Sequence, residues 1–198
     1  MKRPARKKAS VLTTADLVLL SLLAEKPMHG YQANAELERR EVRDWAALSR
    51  PQIYYSLEKL AALCLLRGVN CGDSGGPERQ SYAITNNGAS ALADALERQD
   101  WCTHRDKPHF LTWMALSWQA RKGVFATQLQ RRKEFLVREI LREKKTLREV
   151  LQEVGHPFHE AVWMLKLMIA ELETEHRWIL RLQKETKHRA PARHPALV

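Results

Sequence analysis

The stretch SRPQIYYSLEKL, residues 49–60, has the pattern of a helix that packs one face and presents another. Ser49 is a favourable N-cap residue, and Pro51 fits a first helical turn, where an N–H has no intrahelical partner. The apolar face of such a helix consists of Ile53, Leu57 and Leu60. Two adjacent tyrosines remain, and they cannot share a face because neighbouring helical residues point about 100° apart. We therefore expect them to have different roles.

A helical wheel separates the polar residues of this stretch. Gln52, Tyr55 and Lys59 fall opposite the apolar face and are expected to point outward, whereas Tyr54 falls at the boundary and is expected to pack against the body. Helices that read DNA contact base edges mainly with their N-terminal residues, here Arg50 and Gln52. Arginine pairs well with guanine and glutamine with adenine. The stretch therefore predicts a recognition helix in a major groove.

The flanking sequence supplies the rest of a small domain. Helical patterns are predicted over 13–25 and from Gly30 to about Arg40, ahead of the recognition helix. CLLRGVN and RQSYAIT then read as two strands around the glycine-rich segment CGDSGGPE, and Thr85 is suited to cap a further helix. Three helices, a hairpin and a helix in this order predict a mainly α fold with a small β-hairpin wing, the winged helix-turn-helix.

The C-terminal half has no strand signal. A polar linker is predicted over 101–107, then a short aromatic helix, then a long helix from about Val124 to Val154. Gly155-His156-Pro157 is expected to end the long helix and to start the last one. The last helix has apolar residues at alternating spacings of four and three, the mark of a coiled-coil seam.

An apolar stripe on two helices requires a covering partner, so we expect this half to form a homodimer. The residues expected at the dimer interface are Leu136, Ile140, Leu147, Phe158, Val162, Leu165, Ile169, Leu172, His176 and Ile179. The predicted organisation is a disordered basic arm (1–10), a winged helix-turn-helix (11–100), a helical dimerisation and effector domain (101–183) and a disordered tail (184–198).

The charge of the chain points to a polyanionic partner, but it is unevenly spread. The formal net charge is +10 over 198 residues. Residues 1–10 contribute five Lys/Arg and no acid, whereas residues 11–100 contain nine Lys/Arg and twelve Asp/Glu. DNA binding by the second block must therefore depend on where individual cations are placed.

Several function classes lack their signatures. No apolar run approaches the roughly 20 residues that span a bilayer, and no signal-type segment is visible, so we expect a cytoplasmic protein without membrane contact. A P-loop, nucleophile elbow, HExxH motif and Rossmann glycines are all missing, so neither an enzyme nor a cofactor is expected. Three cysteines without CxxC spacing favour reduced thiols, although a redox-sensitive Cys64–Cys71 pair stays open. Two histidine pairs, His104 with His109 and His156 with His159, have no cysteine or carboxylate cluster beside them, so no metal is expected.

Three segments together resemble the PadR family of bacterial transcriptional regulators. They are LLSLLAEKPMHGYQANAEL (19–37), SRPQIYYSLEKLAALCLL (49–66) and GGPERQSYAITNNGASAL (75–92). The resemblance covers roughly residues 13–97. It implies a homodimeric repressor that binds a palindromic operator in double-stranded DNA and is released by a small effector, a phenolic acid in well-known members.

The resemblance and the wheel together assign candidate DNA contacts. These are His29, Tyr31, Ser49, Arg50, Gln52, Tyr54, Tyr55, Lys59, Arg79 and Gln80. The family usually has glycine where Cys64 stands, so this residue must adopt a positive φ or the turn must differ. Tyr55 and Gln80 also depart from the family pattern, and they are expected to affect which operator bases are preferred. The basic arm is a further candidate for a minor groove.

The effector site is the least specified element. Trp113, Met114 and Trp118 lie near the predicted junction of the two domains, where a flat aromatic ligand could change the angle between DNA-reading heads. Two alternatives to the repressor stay open: a winged-helix redox or metal sensor, and a helical dimerisation adaptor whose winged helix binds protein. The slightly acidic N-terminal domain favours the adaptor.

Overall fold

A computed structural model describes residues 12–46, 48–69, 81–104 and 108–189, with the side chain of residue 44 left out. The chain divides into two units, Met1–Arg105 and Asp106–Val198. Their boundary lies five residues beyond the predicted one. None of the helices in the described ranges is long and apolar enough to cross a membrane.

The N-terminal unit is a winged helix-turn-helix. Its helices are α1 (Thr14–Glu25), α2 (Gly30–Arg39), α3 (Val42–Ala46), α4 (Arg50–Ala62), α5 (Asn86–Leu96) and α6 (Asp100–Thr103). Its strands are β1 (Met28–His29), β2 (Leu66–Val69) and β3 (Ser81–Ile84). The prediction of this fold is confirmed, including the helix at 49–60 and the hairpin.

Three short elements were not predicted. β1 is a two-residue strand after Pro27, and it makes the wing a three-stranded antiparallel sheet in the order β1-β3-β2. α3 occupies a segment that was expected to be a connection. α6 occupies part of the predicted polar linker, and there Trp101 Nε1 donates a 2.7 Å hydrogen bond to the Ala95 carbonyl. Each is too short to show a sequence period, so tertiary contacts decide its structure.

The core of the N-terminal unit lies between α1, α4 and the sheet. Its buried members come from α1, the apolar face of α4 and α2, which adds Ala33 and Leu37, and they are joined by Met28 and Leu66 from the strands. The fully buried large apolar side chains of this unit are Leu19, Leu20, Leu23, Ile53 and Leu60. Burying a side chain of this kind contributes about 1.5–3 kcal/mol, so this packing fixes which face of α4 points outward.

The connection between β3 of the wing and α5 is closely packed. The Thr85 hydroxyl accepts a 3.0 Å hydrogen bond from the Gly88 N–H, and the Thr85 N–H donates to the Leu65 carbonyl at 3.0 Å. A Cβ at Gly88 would lie 2.2 Å from that same carbonyl oxygen, closer than any side chain can approach. Glycine is therefore required at position 88 by the close approach of α5 to the turn before β2, and Thr85 caps the helix.

The C-terminal unit is a helical hairpin preceded by one aromatic helix. α7 (His109–Leu116) continues into a 3-10 turn at Ser117–Gln119; α8 (Val124–Val154) and α9 (Glu160–Glu185) follow, and a second 3-10 turn spans Thr186–His188. α8 has the predicted bounds and ends at Gly155, which has φ +80°. α9 starts later than predicted, because His159 rather than the GHP segment caps it: its Nδ1 accepts from the Ala161 N–H at 3.1 Å.

The heptad seam of α9 packs against α8 of the same chain. Val162 and Ile179 are fully buried, and Leu136 of α8 is fully buried as well. Two ion pairs join the same helices, Arg132 with Glu175 at 2.7 Å and Lys144 with Glu173 at 2.5 Å. The heptad spacing therefore serves the packing of α9 on α8 within the chain, and the dimer contact predicted from it stays a prediction.

Of the two conformations that the sequence left open for Cys64, the structure has the positive φ, at +56°. It follows Leu63 at the end of α4, and the Leu65 N–H reaches back to the Leu60 carbonyl at 2.9 Å, which closes the helix. A side chain in this conformation is strained because Cβ crowds the backbone.

We expect Cys64→Gly to raise the free energy of unfolding by about 0.5–1 kcal/mol, since glycine removes the left-handed strain but adds entropy to the unfolded chain. Urea unfolding of both proteins measures this. Cys102→Gly, at an exposed cysteine near the end of α6, is the control and should not stabilise. Equal or lower stability of Cys64→Gly would show that the turn carries no strain.

Candidate nucleic-acid interface

The outward face of α4 carries two large aromatic side chains at its N-terminal half. Tyr55 is 69% exposed and Tyr54 is 47% exposed. The Tyr54 ring lies beside Gly30 at the start of α2, where a Cβ would come within 3.3 Å of Tyr54 Cε1. The tyrosines therefore occupy different surroundings: Tyr55 projects into solvent, and Tyr54 leans over the neighbouring helix.

The cap of α4 uses two of the candidate residues. Gln52 Oε1 accepts hydrogen bonds from the Ser49 N–H and the Ser49 hydroxyl, each at 2.8 Å. A glutamine that reads adenine uses its carbonyl oxygen and its NH₂ group together. Gln52 would have to leave this cap to do so, and the cap in turn fixes where α4 begins.

Arg50 is exposed but engaged. Its Nε and Nη2 donate to Glu38 Oε1 at 3.1 and 2.7 Å, and Arg43 Nη2 reaches the same oxygen at 2.8 Å. The Arg50 hydrogen bond, helped by the nearby positive charges, lowers the pKa of the Glu38 carboxyl. Glu38 and Arg43 were missed from the sequence, because they lie on other helices and no local spacing links them to Arg50.

The Lys59 side chain does not point outward as the helical wheel predicts; it is paired with Asp16, and its DNA contact stays an untested prediction. Its Nζ lies 2.5 Å from Oδ2 of Asp16, a fully buried residue of α1. The lysine stem is long enough to fold back from the flank of α4 and reach this carboxylate. Lys59 thus neutralises a buried charge, and its ammonium group does not lie on the face that carries Tyr55.

Asp16 joins this ion pair to the cap of α1. Its Oδ2 accepts a 2.7 Å hydrogen bond from the Thr13 N–H, and its own N–H donates to Thr13 Oγ1 at 3.3 Å. Burial alone would raise the pKa of the Asp16 carboxyl, but the hydrogen bonds from Lys59 and Thr13 outweigh it and lower the pKa. Asp16 is therefore ionised in the folded protein at neutral pH.

His29 and Tyr31 lie where the sheet meets α2. The His29 ring is within 3.2 Å of the buried Ser81 hydroxyl on β3 and stacks against Tyr31 with centroids 5.7 Å apart. Tyr31 itself is 61% exposed. The His29 ring is thus held by the sheet, whereas Tyr31 is available to an external partner. Arg79, Gln80 and Cys71, together with the basic arm, lie outside the described residues.

The candidate effector residues belong to the packing of the C-terminal unit. Trp113 stacks against Phe110 and Phe125, with centroid distances of 5.1 and 5.4 Å. Met114 packs against the same core, and Trp118 is half-buried. Arg189 lies over the Phe125 ring at 4.1 Å. Trp113 is thus partly buried and stacked against two rings, and an aromatic ligand that stacks on it would have to displace one of them.

An open groove of about 430 Å³ lies elsewhere, between α8 and α9. Its lining residues are Val137, Ile140, Leu141, Lys144, Glu173, His176 and Arg177. None of the three candidate effector residues contributes to it.

In the described ranges no group of three or more His, Cys, Asp or Glu could hold a metal ion.

The candidate interface residues of the C-terminal unit fall into two sets. Five are buried within the single chain: Leu136, Val162, Leu165, Ile169 and Ile179. Four are partly exposed, namely Ile140, Leu147, Leu172 and His176, and Phe158 is 75% exposed. The buried set is already covered by the hairpin, so it has no apolar surface left for a second subunit.

Comparison with known proteins bears on both units. The family model described as the transcriptional regulator PadR-like family matches residues 19–94. Residues 19–94 are therefore a PadR-like domain, and the described part of them has the winged helix-turn-helix fold. No curated protein matches the sequence.

Solved structures match nearly the whole chain. Bacillus subtilis PadR in complex with operator DNA aligns with a TM-score of 0.69 at 14% identity, over 87% of this chain and 97% of that one. The PadR-like regulator BC1756 from Bacillus cereus aligns with a TM-score of 0.66 at 18% identity, over 88% and 98%. Bacillus subtilis PadR in complex with p-coumaric acid gives 0.53 at 16% identity, over 92% and 97%. The fold, including the C-terminal helices, is that of these regulators.

We expect Lys59→Met to lower the free energy of unfolding by about 3 kcal/mol, because it leaves the buried Asp16 carboxylate without its counter-charge. Asp16→Asn should cost less, about 1–2 kcal/mol, because Lys59 can then turn to water. Urea unfolding at neutral pH tests the order of the two variants. An equal or reversed order would mean that the pair is not buried as described.

The stability difference between wild type and Lys59→Met should depend on pH. Since the pKa of Asp16 is lowered on folding, its ion pair stabilises the protein above the ordinary aspartate pKa, and this stability is lost as the pH falls through the folded-state pKa. The difference between wild type and Lys59→Met should therefore be largest near neutral pH and shrink in acid. A difference that grows in acid would contradict it.

Proposed function

We propose that the protein is a DNA-binding transcriptional repressor that acts as a homodimer on a palindromic operator and is released by a small effector. The observation that carries the proposal is the outward face of α4, in a PadR-like domain, with Tyr55 projecting into solvent. The proposed setting is the bacterial cytoplasm, on the nucleoid.

The proposed DNA contacts follow from where each side chain lies. Tyr55 and Arg50 are assigned to base edges, and Gln52 joins them once it leaves its cap. The N–H groups at the starts of α2 and α4 are suited to phosphates, with Tyr31 beside the first. Arg79 and Gln80, in the wing segment, are assigned to phosphate or minor-groove contact, and the basic arm adds salt-sensitive affinity.

The proposed dimer surface differs from the one that the heptad seam suggests. α9 carries a second apolar stripe of three exposed residues, Trp163, Leu167 and Trp178. At about 100° per residue these lie within about 60° of one another and far from Val162 and Ile179. Large exposed aromatic and leucine side chains in one stripe are typical of an interface. A second copy of the chain is the proposed partner.

The proposed effector is a small molecule of the aromatic class, and its site is assigned to the C-terminal unit. The family resemblance supports a phenolic ligand, and one structural neighbour was solved with p-coumaric acid. Trp113, Met114 and Trp118 remain candidates if the ligand replaces a ring of the stack.

We expect the purified protein to retard DNA from the region upstream of its own coding sequence in a gel-shift assay. Tyr55→Ala should weaken or redirect operator binding by about 1–3 kcal/mol, with little change in the melting temperature. Tyr54→Ala is the contrasting variant and should lower the melting temperature first, because its ring packs beside Gly30. Failure of the wild-type protein to bind this DNA at low salt would favour the protein-binding adaptor.

We expect Leu167→Glu to dissociate the dimer, because a carboxylate would be buried in the apolar stripe. A loss of more than about 2 kcal/mol, or roughly 30-fold in the dimer dissociation constant, is typical for such a position. Sedimentation equilibrium measures it, with helicity by circular dichroism as the folding check. Gln152→Glu, at an exposed position of α8, should remain dimeric. An unaffected Leu167→Glu dimer would exclude this stripe, and a monomeric wild type would overturn the homodimer.

A further inference from the structure

A cluster of charged residues from three helices lies at the start of α4. Glu38, near the end of α2, receives Arg50 from α4 and Arg43 from α3 on the same carboxylate oxygen. The Arg50 side chain is nevertheless 62% exposed. The Arg50 guanidinium therefore lies at the surface, but two of its N–H groups donate to a carboxylate of the same chain, that of Glu38.

A neighbouring glutamate has a different set of partners. Glu36 pairs with Arg39 and Arg40, and Arg40 continues the chain of ion pairs to Glu25. These arginines pull the pKa of the Glu36 carboxyl down to about 2. Two carboxylates on one helix, two residues apart, are thus divided between different partners, and Glu38 is the one that holds the arginine of α4.

We propose that Glu38 is a positioning residue for Arg50: it competes with DNA for the guanidinium and so lowers the affinity for any DNA that Arg50 contacts. This inference rests on the proposed function. A carboxylate and a phosphate oxygen are similar acceptors for a guanidinium. Moving Arg50 from Glu38 to a phosphate exchanges one anion for another, so arbitrary DNA gains little from Arg50.

Operator DNA offers what a phosphate does not. A guanine presents two acceptors to one guanidinium, and Tyr55 and Gln52 lie on the same helix to add contacts at neighbouring bases. These contacts offset the loss of the Glu38 pair, whereas non-operator DNA does not supply them. Glu38 therefore offsets what Arg50 would add on random DNA, and it lowers the operator affinity as well, because Arg50 has to leave the carboxylate in that complex too.

The test compares Glu38→Gln with Glu36→Gln, which removes the same charge two residues away and leaves Arg50 paired. Binding to non-operator DNA is measured in the full-length protein as a function of salt. Glu38→Gln should bind this DNA roughly fivefold to tenfold more tightly than Glu36→Gln does, with a salt slope steeper by about 0.9, the value for one further phosphate contact. Operator affinity should rise by at least the same factor, because the wild-type operator complex also has to break the Arg50–Glu38 pair.

Two further variants separate positioning from charge. Glu38→Asp keeps the charge but withdraws the carboxylate from Arg50, so it should move in the direction of Glu38→Gln. In the double variant Glu38→Gln with Arg50→Ala, the added non-specific affinity should disappear, because Arg50 is the group released. Urea unfolding of all variants confirms that they are folded.

The proposal is overturned if Glu36→Gln and Glu38→Gln raise non-specific affinity equally, or if the effect persists without Arg50. Glu38→Asp behaving as wild type would also overturn it, since charge alone would then explain the result. A wild-type protein that binds neither operator nor random DNA would instead count against the proposed function, which this experiment measures first.

Discussion

The contact between Asp16 and Lys59 determines how the recognition helix is held. A fully buried carboxylate on α1 requires a cation, and the lysine near the end of α4 supplies it across 43 positions of sequence. The same carboxylate caps α1 through Thr13, so one group fixes the start of one helix and is paired with another. The packing of Ile53 and Leu60 sets which side chains of α4 face outward. The ion pair makes that position costly to leave, because moving α4 would strand a buried charge.

The sequence was sufficient for the fold because the longer elements have strong periods and clear caps. Residues 49–60, the Thr85 cap and the glycine after α8 each predicted an element that the structure contains. β1 and α3 were not predicted, because segments of two and five residues are too short to show a hydrophobic period. The start of α9 was misplaced, because proline can occupy either a loop or a first turn, and the histidine that caps the helix gave no distinctive signal.

The site was predictable only in part, since a helical wheel gives direction but not reach. The wheel separates Tyr54 from Tyr55, and the two do have different surroundings. It places Lys59 outward because it treats the side chain as a vector, whereas the flexible stem folds back to Asp16. The partners of Arg50 come from α2 and α3, and a contact across three helices leaves no trace in local spacing. The heptad seam predicted a contact correctly without telling which helix would make it.

The seam between α8 and α9 also bears on how quickly each unit forms. The hairpin joins helices that are neighbours in sequence, so its core closes a short loop. The N-terminal unit must instead pair Met28 with Tyr82 and Asp16 with Lys59. Contacts at such separations slow folding, because the chain loses more entropy before they form. The C-terminal hairpin is therefore expected to fold faster, and its second apolar stripe is then exposed while the N-terminal unit is still folding.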